Sequence, residues 1–455
     1  MPFPKNFLWG AASSAYQIEG AASTDGRGPS VWDMYCKYPG ATYEGHTGDV
    51  ACDHYHRSRE DVALMQQIGL QAYRFSLSWS RIMPDGTGRI NEPGLAFYDK
   101  LVDDLLAAGI QPFCTLFHWD YPYELFCRGG WLNADSPKWF ADYAQVVAAR
   151  LGDRVKHWMT INEPQVFLKW VHGEGQQAAG YRHSMVDQLR ASHHCLLAHG
   201  HGVRALRAAA KAPATVGWAP CALMKLPRSQ KPEDIELARR ASFAVVNKDL
   251  WNNAWFYDPI LKGHYPEDGL QLFGTDMPTI RPGDMDVIAT PTDFIGVNIY
   301  WGDPVEPSTT APGGFAHTKL PPGHPQTALR WPVEESSLYW GLRFMHERYA
   351  KPLYVTENGL SAHDWVHLDG RVHDQHRIDF THRYLKGVAK AMAEGGGGAD
   401  CRGYFHWSIM DNFEWGQGYK ERFGLIHVDY ATQKRTLKDS ALWYKALIAE
   451  NGKSV

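Results

Sequence analysis

The sequence predicts an α/β protein folded as a single (β/α)8 TIM barrel with extended βα loops, one domain over residues 1–455. Three observations predict it. Eight short, apolar, β-prone runs recur along the chain, and most are followed by a helix-compatible stretch. No shift in composition divides the 455 residues, of which 44% are hydrophobic and 21% charged, as suits one large buried core. Strands alternating with amphipathic helices pair in parallel, and eight such units close into a barrel.

The eight runs are Leu8–Ala12, Ala72–Trp79, Gln111–Trp119, Val155–Asn162, Thr215–Pro220, Asp293–Tyr300, Pro352–Glu357 and Gly403–Met410. Helical periodicity covers Asp61–Ile68, Ala96–Ala108, Pro137–Leu151, Met185–Ala210 and Ile378–Glu394. Gly395–Gly398 reads as a short flexible loop before the eighth strand. Gly302–Pro332, rich in Pro, Gly and Thr, reads as a long structureless loop, of the kind that forms a lid or a rim.

Two of the strands deliver a carboxylate to their tips. Val155–Ile161 runs into Asn162-Glu163-Pro164, and Leu353–Thr356 into Glu357-Asn358-Gly359. In such barrels the chemistry gathers at the C-terminal strand ends. Two carboxylates there suit glycosidic cleavage, one to transfer a proton and one to attack or to activate water. A lone Glu in a turn is usually only solvated, so the neighbours carry the argument. Gln17 and Glu19 follow strand 1, Glu19 as a structural residue expected to pair with local backbone; Arg74 lies in strand 2, and His118 and Trp119 end strand 3. Asn298 and Tyr300 end strand 6, Trp407 lies in strand 8, and Glu414 and Trp415 follow it. A ring of polar and aromatic groups matches the hydroxyls and apolar faces of a sugar. The chain carries 18 Trp, among them Trp9, Trp79, Trp119, Trp301 and Trp407 at apparent strand ends. Most Trp belong to core packing and the rest to sugar platforms.

Composition excludes other classes. The net charge of −4, without a long basic run, gives no reason to expect nucleic acid; Arg204–Lys211 reads as a solvated helix face. No stretch approaches the ~20 apolar residues of a membrane span. The N-terminus lacks a basic stretch and an apolar core, so no signal peptide is expected. Seven scattered cysteines (36, 52, 114, 127, 195, 221 and 401) without Cys-x-x-Cys suggest a reduced, cytoplasmic protein with buried thiols. His193, His194, His199 and His201 sit in an apolar helical run without nearby acidic partners, so no metal site is expected. Gly395–Gly398 lacks a Lys-Ser/Thr and precedes a strand, so it forms no phosphate cradle, and no cofactor is expected.

Several segments together carry a resemblance over essentially the whole chain. They are Phe7-Leu-Trp-Gly-Ala-Ala-Ser-Ser-Ala-Tyr-Gln-Ile-Glu-Gly-Ala21, Ala72-Tyr-Arg-Phe-Ser-Leu-Ser-Trp79, His118-Trp119-Asp120, Asp258-Pro259, Leu353-Tyr-Val-Thr-Glu-Asn-Gly359 and Asp411-Asn-Phe-Glu-Trp415. In this order they resemble glycoside hydrolase family 1, the β-glucosidase and β-galactosidase group. The resemblance implies Glu163 as general acid/base and Glu357 as nucleophile. It implies that Gln17, His118, Asn162, Glu414 and Trp415 hold the nonreducing-end sugar above a Trp407 platform. Arg74 and Tyr300 would sit beside Glu357, with Arg74 keeping it ionised, and Asn298 near the pair; Trp119 and Phe423 complete the substrate site.

The implied activity is retaining hydrolysis of short β-glucosides such as cellobiose, with possible β-galactosidase, β-fucosidase and transglycosylation side activities. Members that cleave 6-phosphorylated sugars typically carry Ser at the position of Glu414, with Lys and Tyr near Glu421 and Phe423. Carboxylates here would repel a phosphate. Gln165, Ile299 and Ala178-Ala179-Gly180 depart from the common pattern, the first and third in the loop after strand 4 that borders the leaving-group side. A metal-dependent barrel hydrolase would need clustered His and Asp ligands at strand ends. A catalytically inactive sugar-binding scaffold usually lacks one catalytic Glu, and both are present. Oligomeric state has no sequence signal.

Overall fold

The computed structural model describes residues 3–175, 178, 180–394 and 398–455. Among these, eight parallel strands form a barrel: β1 (Leu8–Ala12), β2 (Ala72–Ser76), β3 (Gln111–Phe117), β4 (His157–Asn162), β5 (Thr215–Ala219), β6 (Ile295–Asn298), β7 (Leu353–Asn358) and β8 (Cys401–Trp407). Their hydrogen-bonded order is β5-β4-β3-β2-β1-β8-β7-β6. Backbone hydrogen bonds from Asp293 to Val216 (2.8 Å) and from Asn298 to Pro220 (3.2 Å) draw β5 and β6 together across the remaining seam.

Side chains alternate along each strand, so one set fills the barrel and the other meets the helices. Ala12, Ala72, Phe113, Met159, Phe294, Tyr354 and Phe405 pack together as the interior. Gly10 is required there, because a Cβ on it would lie 2.6 Å from the Phe405 ring. Tyr73 and Phe75, the alternate residues of β2, join the larger core outside. That core is completed by helices such as Ser136–Leu151, which buries Trp139, Phe140, Tyr143, Val147 and Leu151 on one face. It packs against the long helix Met185–Ala209, whose Ser184 cap accepts a hydrogen bond from the Asp187 amide.

The predicted strands fall where they are observed, with shifted ends. β2 stops at Ser76, and Trp79 opens a one-turn helix, Trp79–Ile82, stacked on Tyr143 at 4.8 Å between ring centroids. Trp79 is therefore core, as is Trp9, whose indole donates to Asn451. The segment expected as a structureless loop contains two strands, Gly302–Pro307 and Phe315–His317, which form a small sheet with Met224–Pro227. Gly302, Pro304 and Pro307 in its central strand hide such a sheet from a sequence reading. Ala179 and Gly395–Gly397 lie outside the described residues.

Three further expectations are corrected. Cys127 is exposed, while the other six thiols are buried. Glu19 pairs with side chains and not with local backbone: Arg81 lies 2.9 Å away and the Tyr98 hydroxyl donates to it at 2.6 Å. His193 does have an acidic partner, Asp284 at 3.0 Å, contributed by a helix 91 residues away in sequence. His194 meets the Trp131 carbonyl and His199 the Thr160 hydroxyl, so these histidines point to separate partners. Among the described residues, no group of three or more His, Cys, Asp or Glu is placed to hold a metal ion, and no helix is long and apolar enough to cross a membrane.

The interior packing makes one quantitative demand. Phe405→Ala should destabilise the protein by about 3–5 kcal/mol through lost burial and a residual cavity, measured by denaturant unfolding. A loss below about 1 kcal/mol would contradict a filled barrel.

Candidate active site

The two carboxylates are set by backbone geometry as much as by side-chain contacts. Glu163 takes a left-handed conformation (φ 44°, ψ 63°) at the start of the one-turn helix opened by Pro164. Its amide donates to the Ala219 carbonyl at 2.9 Å, which ties the tip of β4 to β5. Beyond Glu357, the Asn358 amide donates to the Ile299 carbonyl (2.8 Å) and accepts from the Tyr404 hydroxyl (2.8 Å). Gly359 then passes so close to β8 that a Cβ on it would lie 1.8 Å from the Trp407 carbonyl oxygen. No other residue fits that turn.

Arg74 joins the strands. Its Nη1 donates to Glu357 Oε1 (2.6 Å) and to the Thr356 carbonyl (3.1 Å), its Nη2 to Asn162 Oδ1 (2.7 Å), and its Nε to Thr115 Oγ1 (3.2 Å). The Tyr300 hydroxyl donates to the other oxygen of Glu357, Oε2, at 2.8 Å. Glu163 is held differently: Asn298 Nδ2 donates to its Oε1 at 3.0 Å and also to Asn162 Oδ1 at 3.0 Å. Thr356 Oγ1 donates to Asn298 Oδ1 at 2.6 Å, which orients the amide with its NH2 toward Glu163. One carboxylate thus faces a cation and a phenol, the other a neutral amide.

Both open into a cavity of about 630 Å³. His118, Trp119, Asn298, Tyr300, Trp407, Glu414, Trp415 and Phe423 line it, as the sequence placed them. Trp119 leans on Trp415 (4.6 Å between ring centroids), and Trp301 on Trp331 (4.7 Å). Gln17, Asn162 and Arg74 are wholly buried behind this wall. Gln17 Nε2 donates to Asn412 Oδ1, to the Phe413 carbonyl and, at 3.4 Å, to Glu414 Oε2, so it orients Glu414. His118 Nε2 accepts from Asn162 Nδ2 at 3.1 Å, which places the ring hydrogen on Nδ1, a buried atom without a protein partner among the described residues. Burial and the charge of Arg74 push its pKa well down, so the ring is neutral.

Cys221, Met224, Trp170, Trp251, Leu329 and Trp331 also line the cavity and were missed from sequence. Cys221 follows the tip of β5, so the strand-end rule reached its neighbourhood; a thiol carried no polar signal. Trp170 lies in the helical segment Phe167–Glu174 and Met224 opens a short strand, while Trp251, Leu329 and Trp331 come from loops without periodicity.

Burial raises both carboxyls. Glu163 is pushed up to about 8 by desolvation first and by the charge of Glu357 second, against the donor from Asn298. Glu357 is also raised, because desolvation outweighs Arg74 and the Tyr300 hydroxyl. The expectation that Arg74 simply lowers its pKa is therefore corrected; Arg74 limits the rise. Glu414 is pushed up to about 8 by burial and then by Glu357. Burial and the nearby Glu357 keep the Tyr300 hydroxyl protonated and able to donate.

A parallel barrel holding two buried, differently solvated carboxyls in an aromatic-walled cavity defines a hydrolase of glycosidic bonds. The chain matches glycosyl hydrolase family 1 over residues 1–453. It is 42% identical over 453 residues to beta-glucosidase A of Thermotoga maritima, covering 99% of this chain and 98% of that one. It is 40% identical over 473 residues to the bifunctional beta-D-glucosidase/beta-D-fucosidase of Bifidobacterium breve, covering 99% of each. The solved structure of the Thermotoga maritima beta-glucosidase in complex with glucoimidazole superposes with a TM-score of 0.90 at 41% identity, covering 99% of both chains. The protein belongs to glycoside hydrolase family 1.

The electrostatics predict that the Glu163 carboxyl titrates near pH 8, read as the band lost in an infrared difference titration between the native protein and Glu163→Gln. In Glu357→Gln it should titrate lower, because the second raising charge is gone. Titration near the ordinary carboxylate value in both backgrounds would contradict the coupling.

Proposed function

We propose that this protein is a retaining β-glucosidase in which Glu357 is the nucleophile and Glu163 the general acid/base. The asymmetry between the carboxylates carries the reading: Glu357 is gripped by Arg74 and Tyr300, and Glu163 is held by the neutral amide of Asn298. Glu357 ionises first and attacks the anomeric carbon of a β-glucoside, while Glu163, protonated up to about pH 8, delivers its proton to the departing oxygen. Glycosylation removes the negative charge on Glu357. That lowers the pKa of Glu163, which then accepts a proton from the water that releases the sugar with its β configuration kept.

The nonreducing-end glucosyl unit sits against Trp407, with His118, Glu414 and Trp415 for its hydroxyls. Gln17 and Asn162 orient those groups from behind, and Trp119 and Phe423 close the wall. Short β-glucosides such as cellobiose suit a cavity of about 630 Å³ that Trp301 and Trp331 also line. An acceptor sugar stacked there would compete with water, giving transglycosylation. The fucosidase activity in the name of the Bifidobacterium breve relative supports a β-fucosidase side activity. Glu414 in the pocket, with Glu421 acting on it at longer range, disfavours a phosphorylated sugar. One catalytic domain over residues 1–455 working without a cofactor, a membrane or nucleic acid completes the reading, and the unpaired thiols support a cytoplasmic location.

Glu357→Gly should lower kcat by on the order of a thousandfold or more. Azide should restore turnover of an activated aryl β-glucoside and yield the α-glucosyl azide. A variant that keeps native turnover, or that azide leaves dead, would overturn the assignment of the nucleophile.

A further inference from the structure

Gln165 is two residues past Glu163, wholly buried and outside the cavity wall. Its side-chain amide spends both of its functions on one residue of another strand end. Nε2 donates to the Cys221 carbonyl at 3.0 Å, and Oε1 accepts from the Cys221 amide at 3.2 Å. The Tyr257 hydroxyl donates to the same carbonyl at 3.2 Å. This pairing imitates a rung of a β-ladder at a place where the ladder has stopped: β4 ends at Asn162 and β5 at Ala219. One residue later, the Ala222 amide donates to the Asn298 carbonyl at 3.0 Å, so the gripped segment also abuts the residue whose amide holds Glu163.

Of Gln165, Tyr257 and Cys221, it is Cys221 that lines the cavity. It does so together with Glu163, and its thiol favours the charged form of that carboxyl. A thiol is a weak donor whose hydrogen reaches a carboxylate only if the backbone beneath it is fixed. The amide clamp fixes it. Resting on the assignment of Glu163 as the acid/base, we propose that Gln165 and Cys221 form a positioning unit, Gln165 holding the Cys221 backbone so that its thiol donates to the Glu163 carboxylate and sets that group's orientation.

Other groups act on the same carboxyl, and the clamp leaves them in place. Glu357 from β7 and Arg74 from β2 act on its charge, Asn298 from β6 donates to it, and Glu414, Tyr300 and Tyr257 lie within electrostatic range. A lost thiol donor removes a stabiliser of the carboxylate, so the pKa of Glu163 rises. Since Glu163 must be protonated to act, the alkaline limb of kcat/KM moves to higher pH.

The test compares cellobiose, whose leaving group needs a proton, with 2,4-dinitrophenyl β-glucoside, whose leaving group does not. Gln165→Met and Cys221→Ala should each lose at least five-fold more kcat/KM on cellobiose than on the dinitrophenyl glucoside, with the alkaline limb displaced upward. Cys221→Ser, which restores a donor, should recover most of both effects. Equal losses on the two substrates, or an alkaline limb that stays put or moves down, would overturn the proposal and leave Gln165 a structural residue. The Cys221 pair carries the same readout if Gln165→Met fails to fold. Glu163→Ala run in parallel separates the two readings. If it spares the dinitrophenyl glucoside while the Gln165 and Cys221 variants match native, only the positioning unit falls. If it loses both substrates equally, the acid/base assignment itself falls.

Discussion

The site depends on one buried guanidinium. Arg74 is contributed by β2, yet its donors reach the tips of β3, β4 and β7 through Thr115, Asn162, Thr356 and Glu357. A charge taken out of water survives only when paired and fully hydrogen-bonded, and here each nitrogen has an acceptor. The pairing is reciprocal. Glu357 is itself almost wholly buried, and burial pushes its pKa up even with Arg74 beside it. Without the cation, neutral donors such as the Tyr300 hydroxyl would alone oppose the same desolvation, and a neutral carboxyl is no nucleophile.

From that constraint the rest of the site follows in order. Asn162 is fixed by Arg74 on one side of its amide, so its NH2 is free to set the tautomer of His118. Asn298 donates to Asn162 and to Glu163 together, so the second carboxyl takes its position from the same network without sharing the cation. The fold supplies two carboxyls of one chemical kind, both raised by burial, and gives them different partners. The Trp-rich wall adds the apolar surface that excludes water, which strengthens every interaction inside.

Most of this was legible in the sequence because barrels are regular. The strands read as apolar runs, and the strand-end rule points to Glu163, Glu357, Arg74, His118 and Asn298. What it missed has physical reasons. Trp79 reads as the end of a strand by composition, but tertiary packing against Tyr143 starts a helical turn there. The sheet built on Gly302–Pro307 carries Gly and Pro within that central strand and so looks like loop. Asp284 meets His193 only after two helices pack, which local sequence cannot show. The net direction of the Glu357 shift depends on how completely the tip of β7 is buried, a property of the whole barrel. Cys221, Trp251 and Trp331 reach the cavity through turns with no periodic signature, and Trp170 from the short helical segment Phe167–Glu174.

The central claim is that Glu357, held by Arg74 and Tyr300, attacks carbon directly. It is tested by inactivating the enzyme with 2,4-dinitrophenyl 2-deoxy-2-fluoro-β-glucoside, digesting it and locating the adduct by mass spectrometry. The account predicts one 2-fluoroglucosyl group per chain, joined as an ester to Glu357. Unlabelled protein, or a label on any other residue, would contradict it.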